Sequence, residues 1–252
     1  MIASIVNFRD FGGWESRFGG RIADDRLYRS GAIATVSGSD TERLLGLDFA
    51  LIADLRYAGE RESEPSPWPL VLAERVVTHG GARSAEAPHM APLRDGTLDE
   101  EGSDRLYHEL YRSLPFDPLY RPLFTRILSA LPAVDGRLLV HCSAGKDRTG
   151  MTVALIHHAL GVLRADIVAD FMKSSSAPGL LAMAEPLAAR MSKKFGRTIR
   201  PELMRRLLDV QESFLHAFFD EIEDRSGSVD AYLDSVGLDE TGRQRLRERL
   251  LT

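Results

Sequence analysis

Cys142 and Arg148 stand with five residues between them in the stretch HCSAGKDRTG, His141 to Gly150. Cys142 is the single cysteine of 252 residues, so it forms no intramolecular disulfide and no thiolate metal site by itself. A free thiol ionises near pH ~8.5 and is mostly protonated at neutral pH. Inward-facing amides, a helix N-terminus and a guanidinium each favour the thiolate. A turn of this size entering a helix can aim several N–H groups into one concavity, which suits a tetrahedral dianion.

Ser143, Ala144, Gly145, Lys146 and Thr149 are therefore read as the substrate-binding wall around Cys142. Ala144 and Gly145 let the backbone come close to the ligand. Arg148 can hold two phosphate oxygens at once and follow them as charge redistributes. Thr149 can offer its hydroxyl to the sulfur, and His141 orients the loop rather than acting as a base. Lys146 adds a second cation at the rim, suited to a ligand with more than one phosphate. The predicted chemistry has two steps: Cys142 attacks phosphorus in line to form a phosphocysteine, and water then releases phosphate. The amides and Arg148 supply the charge stabilisation, so the route calls for no metal and no cofactor.

Such a loop needs a strand to deliver the thiol and a helix to follow it. GRLLVHC (Gly136 to Cys142) and FALIADLR (Phe49 to Arg56) are apolar runs bounded by charge or glycine and read as strands, with ERVVTH (Glu74 to His79) a weaker third. Helical patterns precede the first two: Ser39 to Leu47, and Asp117 to Leu131 with Leu119, Leu123, Ile127 and Leu131 spaced by four. TGMTVALIHHALG follows the thiol loop as a helix ending at Gly161, then RADIVADFMKSSS. Pro201 to Arg225 reads as one long helical segment with a broad apolar face. Arg83 to Asp104 is rich in Pro, Gly and charge and reads as a long loop. The alternation of strands and helices predicts an α/β fold in a single domain, residues 1–252, with a helical C-terminal part.

The composition, 44% hydrophobic and 27% charged, is that of a soluble globular chain able to bury a sizeable core. A formal net charge of -5 argues against broad nucleic-acid binding, which needs a basic surface. The start, MIASIVNFRDFGG, lacks the pattern of a signal peptide, and no apolar run approaches the roughly 18 residues that span a bilayer. The expectation is a cytoplasmic protein without an integral membrane segment.

HCSAGKDRTG resembles the Cys-x5-Arg signature of the protein tyrosine phosphatase superfamily, and more narrowly its atypical, bacterial-type tyrosine and lipid phosphatases. NFRDFGG (Asn7 to Gly13), RLYRSGAI (Arg26 to Ile33) and ADLRYAGERES (Ala53 to Ser63) are similar to that family's opening blocks, in order. VADFMKSS and GSVDAYLDSVGL extend the likeness to the tail. The resemblance implies a central, mostly parallel sheet flanked by helices, with the thiol loop at a strand's carboxyl end. It also implies a phosphorylated protein or a phosphoinositide as substrate, and in some members a helical lid, here placed within 174–225.

An alkyl leaving group needs a proton donor, and the stretch GGARSAEAP after the third strand contains no aspartate. Asp147 is the first choice for that acid, by resemblance to lipid-phosphatase loops with Asp before Arg; Asp95, Asp99 and Asp104 are alternatives. Arg9 or Asp10, and Asp54 with Arg56, read as buried structural ion pairs. Two other functions compete with a phosphatase: a non-catalytic phosphate- or lipid-binding module, and a sulfur-transfer or arsenate-reducing enzyme. A binder needs no nucleophile, and the lack of a second cysteine weighs against a disulfide relay.

Overall fold

The two apolar runs become neighbouring parallel strands at the centre of a five-stranded sheet. The computed structural model describes residues 2–34, 36–68, 70–80, 86–177 and 179–252. Its strands are β1 (Arg9–Asp10), β2 (Leu27–Ser30), β3 (Phe49–Asp54), β4 (Val76–Val77) and β5 (Arg137–His141), in the spatial order β1-β2-β5-β3-β4. β1 pairs antiparallel with β2, and the other pairs are parallel. This is the mostly parallel sheet that the family resemblance implies. β1 and β2 escaped the sequence reading because they are short and polar, RD and LYRS, with no apolar run to mark them.

In the first half of the chain the helices are α1 (Ser39–Gly46), α2 (Ala58–Ser63), α3 (Leu70–Ala73), α4 (Met90–Asp95), α5 (Glu100–Ser113) and α6 (Tyr120–Ala130). After β5 come α7 (Asp147–Ala159), α8 (Arg164–Met172), α9 (Ala184–Phe195) and α10 (Pro201–Leu208). The tail holds α11 (Glu212–Ser226), α12 (Val229–Ser235) and α13 (Glu240–Leu250). Among the described residues no helix is long and apolar enough to cross a membrane.

Strand side chains alternate between two cores, as the period of two requires. Leu138 and Val140 of β5 join the larger core with α6, α7 and α11, and Leu139 joins the smaller one with Phe8, Leu44 and Leu72. A register shift between Phe49 and Leu51 lets β3 serve both. Arg29 pairs in register with Val140, and that places a fully buried guanidinium beneath the thiol loop.

Two element expectations need correction. The stretch Arg83 to Asp104 is not a long loop: within its described part α4 forms and α5 begins, while residues 83–85 lie outside the described residues. Asp99 caps α5, accepting from the Gly102 amide at 2.6 Å. Its buried stripe is Ser103, Tyr107 and Tyr111, mostly beyond the charged stretch that hid it. The segment Pro201 to Arg225 is two helices, broken where Asp209 turns extended and its carboxylate takes the Val210 amide at 2.8 Å.

Candidate active site

β5 ends at His141, and the chain turns through Cys142 to Lys146 into the first turn of α7. This is the carboxyl end of a parallel strand, where α/β folds place their ligands. Cys142 is 2% exposed at the floor of a cavity of about 620 Å³, and the Gly145 amide donates to its sulfur at 3.2 Å. Ser143, Ala144, Lys146, Asp147 and Arg148 line the same cavity.

Arg148 is locked in place by a carboxylate. Its guanidinium donates to Glu60 at 2.6 and 3.0 Å and to the Leu55 carbonyl at 3.2 Å, and it lies over the Tyr57 ring at 4.8 Å. Glu60 also accepts from the Ser143 hydroxyl at 2.6 Å, so one side chain of α2 ties both halves of the loop. Burial opposes the Glu60 charge, yet Arg148 and the Ser143 hydroxyl prevail and hold its carboxyl down at about 2. Burial likewise opposes the charge of Arg148, and Glu60 overcomes it and raises the guanidinium above its already high ordinary value.

Asp147 opens α7 with its Oδ1 accepting from the Tyr111 hydroxyl at 2.9 Å and from Lys146 Nζ at 3.1 Å. Lys146 is not the free rim cation that the sequence suggested. Its buried ammonium also donates to the Asp209 carbonyl at 2.9 Å and sits 4.3 Å from the centre of the Tyr107 ring. Thr149 is buried, and among the described residues its hydroxyl has no hydrogen-bond partner, the sulfur included. Gly145 has φ of 70°, and a Cβ there would lie 2.4 Å from the backbone of Ser30 and Gly31. The close approach that demands glycine is therefore to the end of β2, not only to a ligand.

The remaining candidates scatter. Asp54 and Arg56 form the expected buried pair at 2.7 Å, with His141 Nε2 3.8 Å from the same carboxylate. Burial pushes Asp54 up, but His141 and Arg56 outweigh it and bring its pKa to about 2. Burial lowers the His141 pKa, with the Asp54 charge working the other way. Arg9 pairs with Asp170 rather than with a ligand. Asp99 is spent on its helix cap, Asp104 on Arg206 and Gln211, and Asp95 lies 3.6 Å from Arg94; none of the three lines the cavity. In GGARSAEAP, residues 81–85 fall outside the described residues.

Four residues that brace the loop were not singled out in the sequence: Glu60, Asn7, Arg29 and Asp170. Asn7 and Arg29 donate to the Gly145 carbonyl at 2.7 and 3.1 Å, and Arg29 pairs with Asp170 at 2.8 Å. Each of the four sits in one of the blocks that carried the family resemblance. That was the available signal, though it named no role.

The far wall of the cavity is apolar and helical. Met90 and Leu93 of α4 face Met191 of α9 and Met204, Leu207 and Leu208 of α10, with His89, Arg190 and Lys194 among them. Withdrawal from water, then the Lys146 charge, pushes His89 down to about 4.

The sequence model of the tyrosine phosphatase family covers residues 1–252. The chain belongs to that family. It is 33% identical to a Cupriavidus necator protein named as a tyrosine-protein phosphatase, over 94% of this chain and 83% of the relative. It is 29% identical to the triple specificity protein phosphatase PtpB of Mycobacterium tuberculosis, over 90% of this chain and 91% of that protein. A tyrosine-protein phosphatase of Nostoc commune is 28% identical over 61% of the chain and 50% of the relative. This phosphatase is thus an enzyme with tyrosine phosphatase activity.

Proposed function

We propose that this phosphatase hydrolyses phosphotyrosine through a phosphocysteine on Cys142. The observation that carries the reading is one geometry: Cys142 at the cavity floor with the Gly145 amide on its sulfur, and Arg148 held by Glu60 at the same cavity. The Cys142 sulfur attacks phosphorus, the S–P bond forms and the P–O bond to the leaving group breaks. Asp147, lining the cavity and entering the substrate complex in its protonated form, passes that proton to the departing oxygen. Water then attacks phosphorus and gives a proton back to Asp147; the S–P bond breaks and phosphate leaves. Arg148 and the loop amides hold the equatorial oxygens throughout.

Residues 174–225 serve as the lid in this reading, since α9 and α10 supply the apolar wall that would exclude water from the reaction. The whole chain, 1–252, acts as one phosphatase domain. The triple specificity in the name of the Mycobacterium relative supports a wider range here, to phosphoserine, phosphothreonine or phosphoinositides. A lipid headgroup with a second phosphate would draw on Arg190 and Lys194, because Lys146 is already engaged.

Hydrolysis of a phenyl phosphate by Cys142→Ser tests the route: turnover must vanish. Rapid quench with labelled phosphate must trap one label on Cys142 of the wild type; a chain that turns over without label refutes the intermediate. A panel of phosphopeptides and phosphoinositides then sets the range, with phosphotyrosine peptides expected to be the best substrates.

A further inference from the structure

The buried charges behind the thiol loop take no part in the steps above. Arg29 is wholly buried and Asp170 1% exposed, and they pair at 2.8 Å. Arg9 reaches the same residue from β1, its Nη2 3.6 Å from the carboxylate and 3.0 Å from the Asp170 carbonyl. Lys173, on the solvent side, lies 3.9 Å from the other carboxylate oxygen. One buried and one partly buried guanidinium facing a single buried carboxylate carry a desolvation cost that a simple structural pair would avoid. Burial and the Arg29 charge lower Arg9 to about 9, with Asp170 working against them, which marks that surplus of positive charge.

The surplus donors go to the thiol loop. Arg29 Nη2 donates to the Gly145 carbonyl at 3.1 Å and stands 3.5 Å from that of Lys146. Asn7 Nδ2 donates to the same Gly145 carbonyl at 2.7 Å. Asn7 has φ of 57°, a conformation its short amide tolerates, and Arg9 occupies its Oδ1. The amide nitrogen is thereby aimed at Gly145 and its orientation is not free.

Planarity supplies the next step. The Gly145 carbonyl and the Lys146 N–H belong to one trans peptide and point in opposite directions. A carbonyl drawn back toward Asn7 and Arg29 sends that N–H to the opposite side of the loop, the side of Cys142 and the cavity. Released, the peptide could turn its negative end toward an incoming dianion.

We propose that Asn7, Arg29 and Asp170 are positioning residues that clamp the Gly145 carbonyl away from the cavity and hold the thiol loop in its anion-binding form before substrate arrives. Asn7 and Arg29 make the clamp, and Asp170 fixes Arg29. This rests on the phosphocysteine reading, in which the loop amides cradle the phosphoryl group.

Two variants separate positioning from folding. Asn7→Asp keeps an acceptor for Arg9 and tolerates positive φ, but replaces the donor with an oxygen that repels the Gly145 carbonyl. Arg29→Lys keeps a cation for Asp170 and loses the arm that reaches the loop. Vanadate binding by calorimetry, steady-state kinetics on an aryl phosphate and ligand-free thermal melts are measured together. Vanadate affinity and kcat are expected to fall about 10- to 100-fold in both variants, with KM changed less than about threefold and the melt still cooperative. A wild type that binds no vanadate overturns the phosphocysteine reading and the clamp with it. A wild type that binds, beside variants that bind and turn over within about twofold of it, overturns the clamp alone. A loss that only tracks the folded fraction overturns it too.

Discussion

The floor of the cavity and its helical wall are built by opposite means. On the floor, Arg148, Glu60, Ser143 and Asp147 are each held by named hydrogen bonds of 2.6 to 3.1 Å, and Arg29 and Asp170 back them from complete burial. The wall turns methionine and leucine inward, with an ion pair of its own at the cavity, Arg190 to Glu64 at 2.9 Å, and the exposed Arg205–Glu185 pair at 2.8 Å away from it. In the proposed reaction, rigid polar bonding would meet the charge that develops on phosphorus, and adaptable apolar packing would receive the leaving group. Substitutions on the floor should therefore be read in kcat, and those in the wall in KM.

The largest expected effect is Arg148→Lys: an ammonium cannot reproduce the fork, and kcat on an aryl phosphate falls roughly 10²–10³-fold. Glu60→Gln comes next, with kcat/KM down about tenfold and unfolding free energy in urea lower by roughly 2–3 kcal/mol. Because folding holds Glu60 at about 2 against an ordinary 4.5, its stabilisation is whole above pH 4.5 and lost as pH falls toward 2. Glu60→Gln removes that part of the acid dependence, and a pH series of urea melts checks it. Gly145→Ala, with its Cβ forced against Ser30 and Gly31, costs roughly 2–4 kcal/mol in the same assay. In the wall, Leu207→Ala costs about 2–3 kcal/mol and raises KM for an aryl phosphate a few-fold while kcat holds. A fall in its kcat as large as that of Glu60→Gln would erase the distinction between the two regions. Arg205→Ala is the smallest, within ~0.5 kcal/mol and without kinetic effect.

What could be read from the sequence follows the same division. Cys142 and Arg148 were legible because their chemistry needs a fixed spacing on one short segment. The central strands were legible because parallel strands buried on both faces leave apolar runs. Glu60, Asn7, Arg29 and Asp170 were not, since their partnerships cross 83 to 141 positions and leave no periodic trace. Lys146 lines the cavity, and the carbonyl that its ammonium also holds, 63 positions on, leaves no trace in the loop's own spacing. α5 hid because its first turn ends a charged stretch and its buried stripe, mostly beyond that stretch, is tyrosine rather than leucine.

Gly145 touches the end of β2 too closely for a methyl group, and the segments around residues 7, 29, 60 and 170 all close on the loop it belongs to. In the proposed route an oxyanion should therefore find no receptor on a partly assembled chain. Inorganic phosphate, the product of that route, is expected to bind the finished fold alone and to shift the folding equilibrium by mass action, by about 2.7 kcal/mol at a hundredfold excess over its dissociation constant. Thermal melts with and without added phosphate check that the product steadies the fold.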